Sequence, residues 1–229
     1  MSVWSGAGVI FDLDGVLIDA DAIYERHWAR WADAHGVDFE AILDVHHGRP
    51  AVETIRAVAP SLDAEVEAAR FNEILERDHD DAGIRAYAGA HDVVAALEGA
   101  PWAIATSAPR STALSRLGSL GLTVPDTLVT IDDVTAGKPA PDPYLAAAAV
   151  LGVGADRCLV IEDAPAGITS ARAAGAHVLA VTTTHGPHRL TEAHGTIRSL
   201  TALDVAADTS GVSVRWSEDA PNGADATTS

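Results

Sequence analysis

The sequence predicts an α/β protein with a parallel sheet covered by helices on both faces. Three observations support this fold class. Short apolar runs alternate with alanine-rich amphipathic stretches through most of the 229 residues. These runs are almost continuously hydrophobic, which is typical of strands that are buried on both faces. One long interval after the first run contains helical patterns only.

The apolar runs have the length of single strands, and helical stretches separate them, which predicts the βα units of a Rossmann-like sheet. We predict strands at residues 8–11, 102–105, 127–130, 158–161 and 177–181, with a weaker one at 196–197. We predict helices between them at residues 90–97, 110–120, 143–151 and 165–174. In open parallel sheets, ligands bind beyond the carboxyl ends of the strands, so polar residues that follow these runs are candidate site residues.

Residues 20–88 interrupt this alternation, because they contain no convincing strand. Helical patterns occupy residues 23–34, 40–45, 51–58 and 64–80. We therefore predict a small all-helical cap domain, residues 20–88, inserted into a core domain of residues 1–19 and 89–205. Such an insertion suits a lid that closes over a site on the sheet.

Residues 206–229 differ again in composition. They are rich in Ala, Ser, Thr, Gly and Asp, and their only large apolar side chains are Val212, Val214 and Trp216. We expect a disordered or loosely attached tail.

The charge balance narrows the possible partners. The chain has 15 basic and 33 acidic side chains and a formal net charge of −18, which argues against nucleic acid and anionic membrane surfaces as partners. No apolar run approaches the roughly 20 residues of a membrane span, and residues 1–9 lack the features of a secretory signal. A single cysteine excludes an internal disulfide, so we expect a cytoplasmic protein. Fourteen of the basic residues are arginine, and Lys138 is the only lysine.

The first candidate site residues are Asp12 and Asp14, which follow the strand at 8–11. Two carboxylates so close to a buried strand repel each other and lose solvation, so they call for a cation or a ligand. A solvated Asp-Leu-Asp-Gly turn is the alternative interpretation.

Glu162 and Asp163 follow the strand at 158–161 and precede a predicted helix. If the two strands are parallel neighbours, all four acids meet at one edge of the sheet, and their oxygens suit Mg²⁺ together with a phosphate. Capping of the helix by Asp163 is the alternative.

Thr106 and Ser107 end the strand at 102–105 and lead into a helix, where hydroxyls and backbone N–H groups can bind a phosphate. Ordinary helix capping would also explain them. Lys138 lies in a loop made rigid by three prolines, and a lysine that persists in an arginine-rich chain indicates a need that arginine cannot meet.

Taken together, these four segments resemble the motifs of the haloacid dehalogenase superfamily of phosphohydrolases with a helical cap. The order is Asp-x-Asp, Thr/Ser, Lys and Glu-Asp, and the resemblance covers roughly residues 8–203. Within that superfamily, the sequence is most similar to the sugar and polyol phosphatases, such as the glycerol-3-phosphatase and 2-deoxyglucose-6-phosphatase group. The segments that carry this closer likeness are His47-Gly48-Arg49-Pro50, Ala105-Thr106-Ser107, Gly137-Lys138-Pro139 and residues 162–168.

The resemblance implies a role for each matching residue. Asp12 would be the nucleophile that forms an aspartyl-phosphate, and Asp14 would protonate the leaving oxygen and then activate water. Mg²⁺ would be held by the Asp12 carboxylate, the Asp14 backbone carbonyl and Asp163, with Glu162 bound directly or through water. The phosphoryl-binding residues would be Thr106, Ser107 and Lys138.

The substrate-binding residues are less constrained by the sequence. The resemblance makes His47 and Arg49 candidates for contact with a small phosphorylated metabolite, and a solvated helix start with incidental histidines is the alternative. Asp19, Asp21 and Tyr24 lie where the chain enters the helical segment and are further candidates for contact with the ligand. His185 is expected in a surface loop.

Three other functions remain open at this point. A phosphomutase of the β-phosphoglucomutase type shares the four motifs, but it would need cap groups that hold a bisphosphate. A metal-free dehalogenase would need neither Asp14 nor the Glu162-Asp163 pair. A non-catalytic sensor of a phosphorylated ligand could use the same scaffold. The sequence leaves a monomer and a small homo-oligomer equally open.

Overall fold

The computed structural model describes residues 1–77, 83–208 and 211–217. Its strands, in chain order, are β1 (Ser2–Gly6), β2 (Gly8–Phe11), β3 (Ile18–Asp19), β4 (Arg85–Ala86), β5 (Trp102–Ala105), β6 (Leu128–Val129), β7 (Cys158–Glu162), β8 (His177–Val181), β9 (Gly195–Ile197), β10 (Leu203–Asp208) and β11 (Gly211–Trp216). Its α-helices are α1 (Asp21–His35), α2 (Phe39–Leu43), α3 (Ala51–Val58), α4 (Ala64–Arg77), α5 (Ala90–Ala96), α6 (Arg110–Ser119), α7 (Asp142–Val150) and α8 (Pro165–Ala173).

The centre of the fold is a six-stranded sheet in the order β6-β5-β2-β7-β8-β9, and every pair in it is parallel. Helices cover both faces, as predicted. Successive side chains of β2 enter different cores, because side chains alternate across a strand. Val9 and Phe11 pack in a cluster with residues of α5 and α6, whereas Ile10 packs in a cluster with residues of α7 and α8.

The strand register brings the candidate residues to one edge of this sheet. Phe11 at the end of β2 lies opposite Ile104 of β5 and Ile161 of β7. The next strand of this sheet along the chain, β5, pairs with one edge of β2, and β7 pairs with the other edge. The ligand-binding crevice of an open α/β sheet is therefore expected at the carboxyl end of β2.

The helices α1–α4 share a third hydrophobic cluster. Trp28 and Trp31 are buried in it, and the Trp28 ring stacks on Phe71 at a centroid distance of 4.0 Å. The prediction that residues 20–88 contain no strand was wrong at one place, since Arg85–Ala86 pairs antiparallel with Ile18–Asp19. A strand of two residues has no periodicity to detect, and its partner precedes the helical segment.

The expectation of a disordered or loose tail at residues 206–229 was wrong for residues 206–208 and 211–216. These residues belong to β10 and β11, which form an antiparallel sheet with β1 in the order β1-β11-β10. Val212, Val214 and Trp216 recur at every second position and are buried, so they supply the apolar face of a strand. Residues 209–210 and 218–229 lie outside the described part of the chain. Among the described helices, none combines the length and the apolar character needed to cross a membrane.

Candidate active site

Asp12 is held at the end of the central strand β2. Its backbone N–H donates to the carbonyl of Ile161 at 3.0 Å, and its side chain is buried. The Oδ1 atom lies 2.7 Å from Nζ of Lys138. Burial raises the pKa of Asp12 to about 7, although Lys138 opposes the shift. The carboxylate is therefore desolvated and depends on neighbouring cations for its charge.

Lys138 is completely buried between two carboxylates. Its Nζ atom lies 2.7 Å from Asp12 Oδ1 and 2.8 Å from Glu162 Oε1. Although burial lowers the pKa of Lys138, the two carboxylates outweigh that effect and raise it above its ordinary value. An ammonium group has three N–H donors, so one donor is left for a third acceptor.

Glu162 is fully engaged by hydrogen bonds. Its Oε1 accepts from Lys138 and from the Tyr144 hydroxyl at 2.9 Å, and its Oε2 accepts from the backbone N–H groups of Asp163 and Ala164. A Cβ atom at Gly167 would collide with this carboxylate, so the first turn of α8 needs glycine there. Glu162 thus fixes the position of Lys138.

Asp163 carries an unsatisfied oxygen. Its Oδ2 accepts from the Thr184 hydroxyl, but its buried Oδ1 has no hydrogen-bond partner within the described residues. Burial and the charges of Glu162 and Asp12 raise the pKa of Asp163 well above its ordinary value. Such a buried acceptor is costly unless a ligand satisfies it.

Asp12, Glu162 and Asp163 form a compact acidic group, in which one oxygen from each lies within 4.8 Å of the others. Gly15 has a positive φ of 84°, and a Cβ atom there would collide with Asp163, so glycine keeps the group compact. Hard oxygen ligands around an unsatisfied carboxylate oxygen suit a divalent cation such as Mg²⁺.

The side chain of Asp14 points away from this group. Its Oδ1 is 2.8 Å from Nη1 of Arg116, and its Oδ2 accepts from the Tyr24 hydroxyl at 3.4 Å. Asp14 nevertheless lines the same pocket as Asp12. Arg116 was missed by the sequence interpretation, because α6 reads as an ordinary amphipathic helix.

Thr106 and Ser107 line the pocket beside Asp12. The backbone N–H of Thr106 donates to Val129 at 2.9 Å and so continues the β5–β6 ladder, and its Oγ1 accepts from the N–H of Ala108. The Ser107 hydroxyl donates to the Gly48 carbonyl at 3.3 Å. This bond connects the loop before α3 to the edge of the sheet.

His47 and Arg49 lie on that loop and line the pocket. Nδ1 of His47 is 3.8 Å from Asp21 Oδ1, and its ring centroid is 3.9 Å from that of His46. Burial lowers the pKa of His46 to about 3 and that of His47 to about 4, and neighbouring histidines contribute. The rings are therefore neutral near pH 7.

The remaining pocket wall comes from α1 and α4. It includes Asp21, Tyr24, Trp28, Phe71, Asn72 and Leu75. Of the three candidates where the chain enters the helical segment, Asp21 and Tyr24 line this pocket, whereas Asp19 does not and instead pairs with Arg85. His185 was expected on the surface, but it is buried, and its Nδ1 lies 2.9 Å from the Thr184 hydroxyl, because the loop after β8 folds over Asp163.

The fold and the site together define the class of protein as a hydrolase of the haloacid dehalogenase type. The acidic group lies at the switch point of an α/β sheet, Lys138 is buried beside it, and Asp14 follows Asp12 by two residues. Residues 9–181 match the haloacid dehalogenase-like hydrolase family, and the chain belongs to that family.

Comparisons with individual proteins agree with this assignment. The chain is 39% identical to hexitol phosphatase A of Escherichia coli (strain K12), over 86% of this chain and 93% of that protein. It is 36% identical to validoxylamine A 7'-phosphate phosphatase of Streptomyces hygroscopicus subsp. limoneus, over 85% and 94%. A crystal structure of a hydrolase from Pseudomonas syringae superposes with a TM-score of 0.75 at 30% identity, and covers 84% and 93% of the two chains.

Proposed function

We propose that the protein is a Mg²⁺-dependent phosphatase that hydrolyses a small sugar or polyol phosphate through an aspartyl-phosphate on Asp12. The observation that carries this proposal is the contact of 2.7 Å between Asp12 and buried Lys138, beside the unsatisfied Oδ1 of Asp163. The contact joins a nucleophile to a phosphate-binding cation, and the free oxygen calls for a metal. The phosphatase relatives support the same reaction class.

The metal would be held by the carboxylates of Asp12 and Asp163 and by the backbone carbonyl of Asp14. When bound, Mg²⁺ offsets the repulsion between the carboxylates and a phosphate dianion. Glu162 already accepts four hydrogen bonds, so in this proposal it orients Lys138 and supports the metal only through water.

Asp12 attacks phosphorus while the bond to the leaving oxygen breaks, and Asp14 gives a proton to that oxygen. A water molecule then attacks the phosphorus atom, Asp14 takes its proton, and Asp12 is released. The free N–H of Lys138 and the hydroxyl of Thr106 bind the phosphoryl oxygens, and so does the hydroxyl of Ser107 once it exchanges the Gly48 carbonyl for the phosphate. Stabilisation of the transferring group is then largely electrostatic.

We propose that residues 20–88 act as a cap over the core domain of residues 1–19 and 89–205, with the substrate held between them. Polar groups at this boundary, among them Asp21, His47 and Asn72, suit the hydroxyls of a sugar or polyol. Arg49 is the only arginine or lysine among the described pocket residues, and its guanidinium forms no ion pair within them. In this proposal Lys138 binds the phosphoryl group that is transferred, and Arg49 contacts the part of the substrate that does not react.

The test is a phosphate-release assay on purified protein with a panel of sugar, hexitol and glycerol phosphates, with and without Mg²⁺. We expect release of inorganic phosphate that requires Mg²⁺. Conversion of a sugar phosphate to an isomer without phosphate release would identify a mutase instead. Binding without turnover across the whole panel would indicate a sensor.

A further inference from the structure

Arg116 is a buried arginine outside the four sequence motifs. It lies on α6, where it shares the buried face of the helix with Ala113 and Leu117. Its Nη1 atom is 2.8 Å from Oδ1 of Asp14, and only 4% of its side chain is exposed. A buried arginine is retained where its charge is paired, and here the pair is the aspartate at the pocket.

Tyr24 of α1 completes the contact. Nη1 of Arg116 donates to the Tyr24 hydroxyl oxygen at 3.0 Å, and the guanidinium carbon lies 4.7 Å from the centre of the tyrosine ring. Burial raises the pKa of Tyr24 to about 12, so its hydroxyl remains protonated. That hydroxyl donates to Oδ2 of Asp14 at 3.4 Å.

The two oxygens of Asp14 are therefore held unequally. Oδ1 receives a short, charge-assisted hydrogen bond, and Oδ2 receives a long bond from a neutral donor. The contact of 2.8 Å with a cation is stronger than the bond of 3.4 Å from a neutral hydroxyl, because hydrogen bonds weaken with distance and opposite charges attract each other directly. The Arg116 contact can persist while the Tyr24 contact is exchanged for a substrate oxygen.

We propose that Arg116 is a positioning residue that anchors Oδ1 of Asp14, so that Oδ2 is the oxygen that exchanges protons with the substrate. This role rests on the proposed function. As the bond from Asp12 to phosphorus forms and the bond to the leaving oxygen breaks, the proton on Oδ2 passes to that oxygen. In the second half-reaction, water attacks phosphorus, its proton passes to Oδ2, and the bond to Asp12 breaks.

The experiment uses two leaving groups that differ in their need for a proton. The sugar or polyol phosphate that the wild-type protein hydrolyses fastest in the panel needs protonation of its leaving oxygen, whereas p-nitrophenyl phosphate releases a stable phenolate without it. Arg116→Gln should lower kcat for the sugar or polyol phosphate by about 10²- to 10³-fold with KM nearly unchanged, as expected for impaired general acid–base catalysis. It should also give a rapid burst of p-nitrophenolate, because Asp12 is still phosphorylated but slowly released.

Three controls separate positioning from a structural role. Arg110→Gln removes another ion pair of α6, to Asp133, and should leave both activities within about twofold, as for an exposed pair. Arg116→Lys should recover at least about tenfold of the loss, because a cation is restored next to Oδ1. Adding Arg116→Gln to Asp14→Asn should cause little further loss, because both changes act on the same group.

The kcat values and the burst together decide whether Arg116 positions Asp14. A kcat of Arg116→Gln within about twofold of wild type would overturn the positioning role, and so would an equal loss on both leaving groups without a burst. If Arg116→Gln shows no cooperative thermal unfolding, Arg116→Lys is used instead to test the positioning role. The same two quantities are then compared, the burst of p-nitrophenolate and the steady-state kcat on both leaving groups. A wild-type protein that releases no phosphate from any sugar or polyol phosphate of the panel refutes the proposed function itself, which distinguishes the two failures.

Discussion

The Nζ atom of Lys138 lies 2.7 Å from Oδ1 of Asp12 and 2.8 Å from Oε1 of Glu162, and the lysine side chain is fully buried. One ammonium group therefore compensates two desolvated carboxylates and still has a donor for a third acceptor. Guanidinium is too large and too planar to replace it without displacing one of them. The geometry accounts for a single lysine among fifteen basic residues.

Lys138→Met should impair both folding and activity. It leaves Asp12 and Glu162 buried without a counter-charge, which costs about 3–5 kcal/mol when one partner of a buried pair is removed. Loss of a phosphate donor should lower kcat by about 10²- to 10³-fold. Urea unfolding and phosphate release measure the two effects, and Arg77→Met, which breaks an exposed pair with Glu73, is the control. Wild-type stability in Lys138→Met would contradict the buried pairing.

Asp163→Asn should affect stability in opposite directions with and without Mg²⁺. In the absence of metal, the variant should be more stable than wild type, because it removes a buried charge that Asp12 and Glu162 repel. At a Mg²⁺ concentration one hundred times its Kd, wild type should gain about 2.7 kcal/mol, and the variant should gain much less. Thermal unfolding with Mg²⁺ or with EDTA measures both. Equal stabilisation of the two proteins by Mg²⁺ would argue against Asp163 as a ligand.

His46 should make the protein sensitive to acid. Burial lowers its pKa from 6.5 to about 3, so the unfolded state binds more protons than the folded state between these values. Stability is then fully present above pH 6.5 and is lost as the pH falls toward 3, by an amount on the order of a few kcal/mol. His46→Phe should reduce this loss between pH 7 and pH 4 in urea unfolding experiments. His91→Phe, at an exposed position of α5, should follow the wild-type profile.

The central sheet was predictable because its strands are buried on both faces, which leaves continuous apolar runs. The predicted strands at 8–11, 102–105 and 177–181 have the bounds that the structure shows. The sheet of β1, β10 and β11 was missed, because its burial alternates with exposure among small residues. An alternating pattern over at most six residues is a weak signal for a strand. In addition, β11 pairs with β1, which lies at the other end of the chain.

The residues of the candidate site also divide into those that the sequence predicted and one that it missed. Asp12, Glu162 and Asp163 lie at predicted strand ends, so the parallel register is enough to bring them together. Lys138 lies in a loop beyond the end of β6, and the sequence marked it by its residue type and not by its place in the sheet. Arg116 lies in the middle of a helix, 102 residues from Asp14, and only the rotation of α6 aims it at the pocket. Its spacing from Ala113 and Leu117 was the available signal, since all three fall on one face of a helix.

The nucleophile assignment is tested most directly by phosphate release from Asp12→Asn, measured beside wild type and Asp126→Asn with and without Mg²⁺. Asp126 is exposed in a loop, so its substitution controls for the change of charge. We expect turnover by wild type and Asp126→Asn that depends on Mg²⁺, and a loss of at least about a thousandfold in folded Asp12→Asn. Wild-type turnover by Asp12→Asn would contradict the aspartyl-phosphate mechanism.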